Sequence, residues 1–184
     1  KVVELEQLAV RPVDRVVRLL DWMRDDFIFG GPAALLASVY FAPNSSPKRR
    51  VFKDCNSRDR EAAIAGIRNA AWDLTHISEF ARRVNDDGQE GRMRFIFASF
   101  DVHLRRIARL LFEFGTDRSA PDALPAALSQ WWSRSDASRI ASTMFGHIER
   151  CRKPDWRPKS AADPSFIDDL IARGEDLVRS RSPT

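Results

Sequence analysis

Two aspartates, Asp73 and Asp101, stand where a carboxylate could take part in chemistry. Asp73 lies in "NAAWDLTH", at the edge of an apolar stripe, and Asp101 directly follows the apolar run "FIFASF". Carboxylates that converge from separate elements suit Mg²⁺ or Mn²⁺, because these ions prefer oxygen ligands and retain several waters. Such an ion activates water and clamps phosphate in hydrolysis. Both residues are therefore candidate metal ligands and catalytic residues.

The helix expected to carry Asp73 has the strongest periodic signal in the chain. Apolar residues recur there in steps of four and three, at Ala63, Ile67, Ala70, Leu74, Ile77, Ala81 and Val84. This spacing predicts one amphipathic helix, with Asn69, Asp73 and His76 together on one flank. Asn69 and His76 are therefore supporting candidates. The alternatives for Asp73 are a pairing with Arg68, Arg82 or a cation of a neighbouring helix, and a place at the rim of the stripe with no further role. The alternative for His76 is that it packs or forms hydrogen bonds at the surface.

Asp101 is predicted to lie at the end of a strand. "RMRFIFASFD" is apolar at alternating and at intervening positions, which predicts a strand in a sheet covered on both sides. The residues after it predict a helix, and the junction of strand and helix is where open α/β sheets bind ligands. Asp101 would equally serve as the N-cap of that helix, because its side chain can accept hydrogen bonds from backbone N–H groups.

Basic residues follow Asp101 and also occupy a loop earlier in the chain. The candidates for nucleic-acid binding are Arg105, Arg106 and Arg109 on the predicted helix, and Lys48, Arg49 and Arg50 in "PNSSPKRR". Arginine binds phosphate through paired hydrogen bonds, so these clusters could hold an RNA backbone beside the ion. The alternative for each cluster is an exposed, solvated helix face or loop.

The remaining segments are predicted to be mostly helical. "PVDRVVRLLDWMRDD" has one apolar face and predicts a helix ending near Asp26, and "AALLASVYFA" favours a helix. "FIF" before "GGP" predicts a short buried strand. "DALPAALSQWW" and "DASRIASTMFGHIERC" predict two helices, and a proline-broken linker precedes an amphipathic helix around residues 166–178.

Composition narrows the class of protein. The chain has 184 residues, 43% of them hydrophobic, which suits one globular domain with a terminal extension. No apolar run approaches the roughly 18 residues of a membrane span. Cys55 and Cys151 lack metal-ligand spacing, so we expect two free thiols in the cytoplasm. A formal charge of +4 weakly favours a polyanionic partner.

The sequence gives less support to other kinds of catalytic site. The chain contains none of the short motifs of nucleotide-cofactor, zinc or serine-hydrolase sites. Two Arg–His pairs, Arg68 with His76 and Arg139 with His147, suggest the all-helical HEPN ribonucleases, but both spacings are longer than that family's motif.

The layout from about residue 10 to 115 resembles the PIN-like nuclease superfamily, which includes many bacterial toxin ribonucleases. "NAAWDLTHISEFARRV" resembles its helix bearing an acidic ligand, "FIFASFDVHLRRIA" its strand ending in Thr-x-Asp, and "FIFGGPAALLASVYF" the segment leading into its second helix. The resemblance implies hydrolysis of RNA around one or two divalent ions. By this resemblance Asp73 and Asp101 are metal ligands, and Ser99 stands where the family often has a hydroxyl.

Two features depart from that family. "KVVELEQLAV" does not match its first strand, so that strand would lie upstream of Lys1, and "PAALLASVYFA" has no carboxylate near Ser38. The resemblance leaves three possibilities open. The protein is an active nuclease whose site is completed by residues missing from this sequence, a variant with a reorganised site, or a degenerate member of the family.

The expected fold is therefore α/β, with a PIN-like parallel sheet flanked by helices over residues 1–150 and a basic linker and C-terminal helix over 151–184. The expected function is a metal-dependent endoribonuclease, such as a cytoplasmic toxin or defence effector, with Mg²⁺ or Mn²⁺ as cofactor. Its expected partners are RNA, an antitoxin or other protein, and a second copy of the chain, with no membrane.

Two alternatives stay open. One is a non-catalytic nucleic-acid- or protein-binding module on a degenerate PIN-like scaffold, which would use the basic C-terminal region "RCRKPDWRPK". The other is a mostly helical structural subunit, which requires that "RMRFIFASF" is not a strand.

Overall fold

The structure is a computed structural model that describes residues 1–44, 51–87, 94–102, 104–105, 108–109, 123–159 and 162–181, with only the backbone of Asn85 and Asp87. Its helices are α1 (Val2–Glu6), α2 (Pro12–Asp25), α3 (Gly31–Tyr40), α4 (Arg60–Asp87), α5 (Ala123–Leu128), α6 (Arg134–Cys151) and α7 (Phe166–Ser180). We call residues 94–102, 104–105 and 108–109 the Asp101 segment; its described residues after Asp101 are helical.

The described residues form no strand, so the prediction of an α/β fold with a parallel sheet is wrong. The first run that predicted a strand, residues 27–29, is an irregular connection between α2 and α3. Phe27 stacks on Trp22 and Phe29 packs edge-on against His147, so these rings cover helices without a sheet. A short apolar run can pack in either way, and periodicity does not distinguish the two.

Residues 94–100, the second predicted strand, keep an alternating burial pattern but pair with no strand in the described part of the chain. Phe95 and Phe97 contact Phe80 of α4, with ring centroids 6.5 and 5.3 Å apart. Ile96 and Phe100 are 89% and 103% exposed. One face therefore rests on α4 and the other faces solvent, and the mostly helical alternative is the one that agrees with the described residues.

The main core lies where α2 and α3 pack with α5 and α6. Pro12 fills the first turn of α2, where its missing N–H costs no hydrogen bond. The predicted apolar face of α2 is confirmed, with Val13, Val16, Leu20 and Met23 buried and Val17 half-buried. Helices α3, α5, α6 and α7 also form where the sequence predicted them.

Helix α4 is the long helix predicted around Asp73, and Asp59 caps its first turn. The Asp59 Oδ1 accepts hydrogen bonds from the N–H groups of Glu61 and Ala62 at 3.0 and 3.1 Å, which satisfies donors that a helix start leaves unpaired. The predicted stripe lies inward: Ala63, Ala70 and Ile77 are buried, and Ile67, Leu74, Ala81 and Val84 are half-buried.

Two neighbours hold α4 in place. Val178 of α7 packs on Ala63 and Ile64 near the start of α4, and Leu36 of α3 packs with Ile77 further along. These contacts set the direction in which the flank residues of α4 point. None of the helices in the described ranges is long and apolar enough to cross a membrane.

Candidate functional site

Asp73 and Asp101 line the same cleft. The cleft lies between α3, α4 and the Asp101 segment, has a cavity volume of about 20 Å³ and opens to solvent. Its other lining residues are apolar, namely Leu36, Val51, Ala70, Leu74 and Leu104. Asp73 and Asp101 thus line one cleft from separate elements, although no sheet brings them together. Their chemical role stays a prediction.

Asp73 is half-buried on the flank of α4, between two residues that line the cleft, Ala70 and Leu74. Neither of the two arginines named as partners of Asp73 binds it. Arg68 binds Glu175 of α7 at 2.6 Å, and Arg82 binds Glu79 at 2.8 Å. No described residue forms a hydrogen bond or an ion pair with the Asp73 carboxylate.

Asp101 caps the helical turn that follows it, which confirms the N-cap prediction. Its Oδ1 accepts a hydrogen bond from the Leu104 N–H at 3.1 Å, and its own N–H donates to the Ser99 Oγ at 3.1 Å. Ser99, a predicted supporting residue, therefore holds the backbone of Asp101. These bonds fix the half-buried Asp101 side chain at the rim of the cleft.

Asn69 and His76, the other predicted supporting residues, are exposed on α4 beside Asp73. The His76 ring stacks on Trp72, with centroids 6.2 Å apart and an interplanar angle of 29°. Trp72 is 64% exposed. His76 therefore packs at the surface, as the alternative interpretation predicts. Its neighbour Trp72 was not among the predicted site residues.

The predicted phosphate-binding residues are only partly within the described chain. Arg105 and Arg109 are exposed in the helical part of the Asp101 segment. Arg106, Lys48, Arg49 and Arg50 lie outside the described residues. Arg105 follows Leu104, which lines the cleft, on the same helical turn.

The donor set of the cleft fits Mg²⁺ or Mn²⁺ with few protein ligands. Among the described residues, no group of three or more His, Cys, Asp or Glu side chains could share an ion. Mg²⁺ commonly binds through one or two carboxylates and completes its octahedron with water and substrate phosphate oxygens. Asp73 and Asp101 can supply those two carboxylates.

A buried polar contact that the sequence reasoning missed joins α2 and α6. The His147 Nε2 lies 2.9 Å from the Asp21 Oδ1, and Arg24 donates to the Nδ1 at 3.2 Å. Both ring nitrogens are therefore engaged within the interface. A nucleophile would find no free imidazole nitrogen here, so we interpret this cluster as part of the helix packing.

Arg139, which precedes His147 on α6, binds a different partner, Asp14 of α2, at 2.7 Å. Asp14 and Asp21 are two helical turns apart, as are Arg139 and His147, so two polar contacts bridge the helices in matching register. The spacings, seven residues on α2 and eight on α6, were the available sequence signal. These contacts place Arg139 and His147 at separate points of one interface, which does not favour the HEPN interpretation.

Both cysteines are half-buried free thiols. Burial raises the pKa of Cys55, and the nearby Glu6 carboxylate raises it further. Burial also raises the pKa of Cys151. A thiol with a raised pKa forms little of the nucleophilic thiolate at neutral pH, so neither cysteine is a candidate nucleophile.

No protein-family model, curated protein or solved structure matches the chain.

Proposed function

We propose that the chain is a metal-dependent endoribonuclease that binds Mg²⁺ or Mn²⁺ between Asp73 and Asp101. The observation that carries the proposal is the half-buried Asp73 carboxylate, which shares a cleft with a second carboxylate and has no hydrogen-bond or ion-pair partner among the described residues. Partial removal of an unpaired carboxylate from water costs free energy, and a bound cation offsets that cost.

The residues of the cleft have different roles in the proposed reaction. A bound divalent ion supplies charge neutralisation for the phosphate group and a nucleophilic water. Asp73 and Asp101 would hold the ion, and the N-cap hydrogen bond holds Asp101 in position. The apolar side chains of Leu36, Val51 and Leu74 border the two carboxylates and lower the local polarity beside them. Arg105, which is exposed and follows the lining residue Leu104 in the chain, is the proposed phosphate ligand.

Two features of the sequence also support the proposal. The segments that carry Asp73 and Asp101 resemble the acid-bearing elements of PIN-like nucleases, and the formal charge of +4 favours a polyanionic substrate. The parallel sheet of that family is not part of the proposal. The proposed chemistry requires only that two carboxylates in one cleft bind a divalent cation.

The proposed setting is the bacterial cytoplasm, where the enzyme acts as a toxin or a defence effector. Two free cysteines are typical of a reducing compartment. A protein antitoxin that covers the cleft, or self-association of the chain, would control such an activity.

The test is cleavage of a labelled RNA in the presence of Mn²⁺ or of EDTA. We expect Asp73→Asn and Asp101→Asn to lower the cleavage rate at least about 100-fold, because each removes one anionic ligand. Asparagine also serves as an N-cap, so Asp101→Asn retains the helix start.

Asp59→Asn is the matched control, since it removes a carboxylate just before α4, outside the cleft, and keeps the cap. We expect wild-type activity from it. Cleavage in EDTA, or cleavage by Asp73→Asn at the wild-type rate, contradicts the proposal.

A second candidate is a non-catalytic binding module on the helical scaffold. It is favoured because, in the part of the chain that the structure describes, no three His, Cys, Asp or Glu side chains could share a metal ion. The exposed side chains of Ile96 and Phe100 also leave apolar surface for a partner. This candidate predicts RNA or protein binding with no Mn²⁺-dependent cleavage.

A further inference from the structure

Residues 94–102 have the exposure pattern of a strand that lacks a neighbouring strand. Exposure alternates along them without a break, with the even-numbered residues exposed and the odd-numbered residues half-buried. No backbone hydrogen bond joins residues 94–100 to any other part of the chain that the structure describes. An extended segment of this kind presents unpaired N–H and C=O groups, which are a ready template for a second strand.

The even-numbered side chains of this segment form an apolar surface. We call it the exposed strip, and it consists of Ile96, Ala98 and Phe100. Ile96 and Phe100 are 89% and 103% exposed, whereas the intervening rings of Phe95 and Phe97 pack on α4. The same short stretch therefore offers apolar side chains on one face and unpaired backbone groups along its edge.

We propose that residues 94–100 pair antiparallel with the same residues of a second copy of the chain, across a twofold axis at Ala98. The exposed strip is complementary to itself in this register. Ile96 of each copy lies opposite Phe100 of the other, and cross-strand pairs of aromatic and β-branched side chains stabilise a sheet. The contact is isologous, so it closes as a dimer.

The exposure pattern selects this register over its neighbours. A shift of one residue places the exposed side chains of one copy opposite side chains of the other that rest on its α4. A shift of two residues places Arg94 opposite Phe100 and loses both Ile–Phe pairs. In the proposed register Arg94, the charged residue of the exposed face, lies opposite Val102 and meets no like charge.

A second copy satisfies both faces of the paired strands. The twofold axis is perpendicular to the two-stranded ribbon, so the α4 helices of both copies lie on one face and the two exposed strips lie side by side on the other. Asp101 directly follows the paired residues, so the dimer also holds the segment that supplies one wall of the cleft. The inference does not rest on the proposed function, because self-association needs neither RNA nor a metal ion.

Sedimentation equilibrium of the full chain over a series of concentrations measures the association. We expect a monomer–dimer equilibrium for the wild type. Ile96→Lys places an unpaired charge opposite Phe100 and should raise the dimer dissociation constant at least about 10-fold. Ile171→Lys is the matched control, since it changes a 52% exposed side chain of α7, and it should associate as wild type.

Disulfide formation between copies tests the register. Ala98→Cys places a thiol on the twofold axis, where the Cα atoms of paired residues are about 4.5–5.5 Å apart, within reach of a disulfide. Arg94→Cys lies eight residues from the residue that faces it, Val102, so the two introduced thiols are about 25 Å apart. Mild oxidation should therefore cross-link Ala98→Cys and leave Arg94→Cys at the level of the wild type, which has two cysteines of its own.

Three outcomes overturn the inference. A monomer at every concentration shows that this edge does not pair with a second copy. A dimer that Ile96→Lys leaves unchanged assigns the contact to another surface. Equal cross-linking of Ala98→Cys and Arg94→Cys contradicts the register. Mn²⁺-dependent cleavage by a monomer would leave the nuclease proposal standing without the dimer.

Discussion

Gly66 shows how a single residue can set the distance between two segments. A Cβ atom at this position of α4 would overlap the backbone oxygen of Lys53 and lie 2.8 Å from its carbonyl carbon. A peptide group cannot move aside as a flexible side chain can. The missing side chain of Gly66 therefore lets the segment before α4 cross close to the helix.

We expect Gly66→Ala to lower the free energy of unfolding by about 1–3 kcal/mol, because the overlap outweighs the helix propensity of alanine. The controls are Gly146→Ala in α6 and Gly174→Ala in α7, where nothing lies within 4 Å of the added atom. Both should leave stability unchanged or raise it by up to about 1 kcal/mol. Urea denaturation measures all three, and a uniform effect would contradict the close approach at Gly66.

At the scale of the element, α4 extends past the residues that pack on α3, and its C-terminal part carries its own ion pairs. The Glu79 carboxylate accepts hydrogen bonds from Arg82 and Arg83, both at 2.8 Å. These bonds, that from Arg82 first, lower the pKa of Glu79 from 4.5 to about 2. The pairs lie within one helix, so they support the helix without fixing its place in the fold.

The lowered pKa of Glu79 predicts a pH dependence. Because the carboxyl binds protons less readily in the folded chain, its contribution to stability is complete above about pH 4.5 and declines as the pH falls towards 2. The stability difference between wild type and Glu79→Gln should therefore be constant near neutral pH and shrink between about pH 4.5 and 2. An NMR titration should give a midpoint near 2 for the Glu79 carboxyl; a midpoint near 4.5 would refute the pairing.

At the scale of the whole molecule, Trp132 joins α3 to the α5–α6 pair. Its indole N–H donates to the backbone oxygen of Ser38 at 2.8 Å, and both residues are buried. Ser38 lies in the last turn of α3, where carbonyl groups lack partners within the helix. A side chain distant in sequence therefore satisfies a buried helix end.

We expect Trp132→Phe to destabilise the protein by about 1–3 kcal/mol, because the Ser38 carbonyl stays buried without its donor. Trp131→Phe makes the same chemical change at the adjacent, half-buried position, where the described residues provide no acceptor for the indole. That control should cost less than about 1 kcal/mol. Thermal unfolding of the two variants compares them directly, and equal losses would show that the hydrogen bond contributes nothing.

The sequence by itself determined the helices. Apolar spacing identified α2 and α4, and the polar residue Asp101 was recognised as a cap, because these signals depend on neighbours within a turn or two of the chain. The same local rules placed Asp73 on the flank of α4, where the structure has it.

Only the tertiary structure decided what each helix packs against. Residues 94–100 have the composition and the alternation of a strand, but a sheet needs a partner strand, and among the described residues they rest on α4 instead. The overlap at Gly66, the Trp132–Ser38 bond and the shared cleft of Asp73 and Asp101 likewise join residues far apart in the chain. Such contacts depend on the packing of whole elements, which local periodicity does not encode.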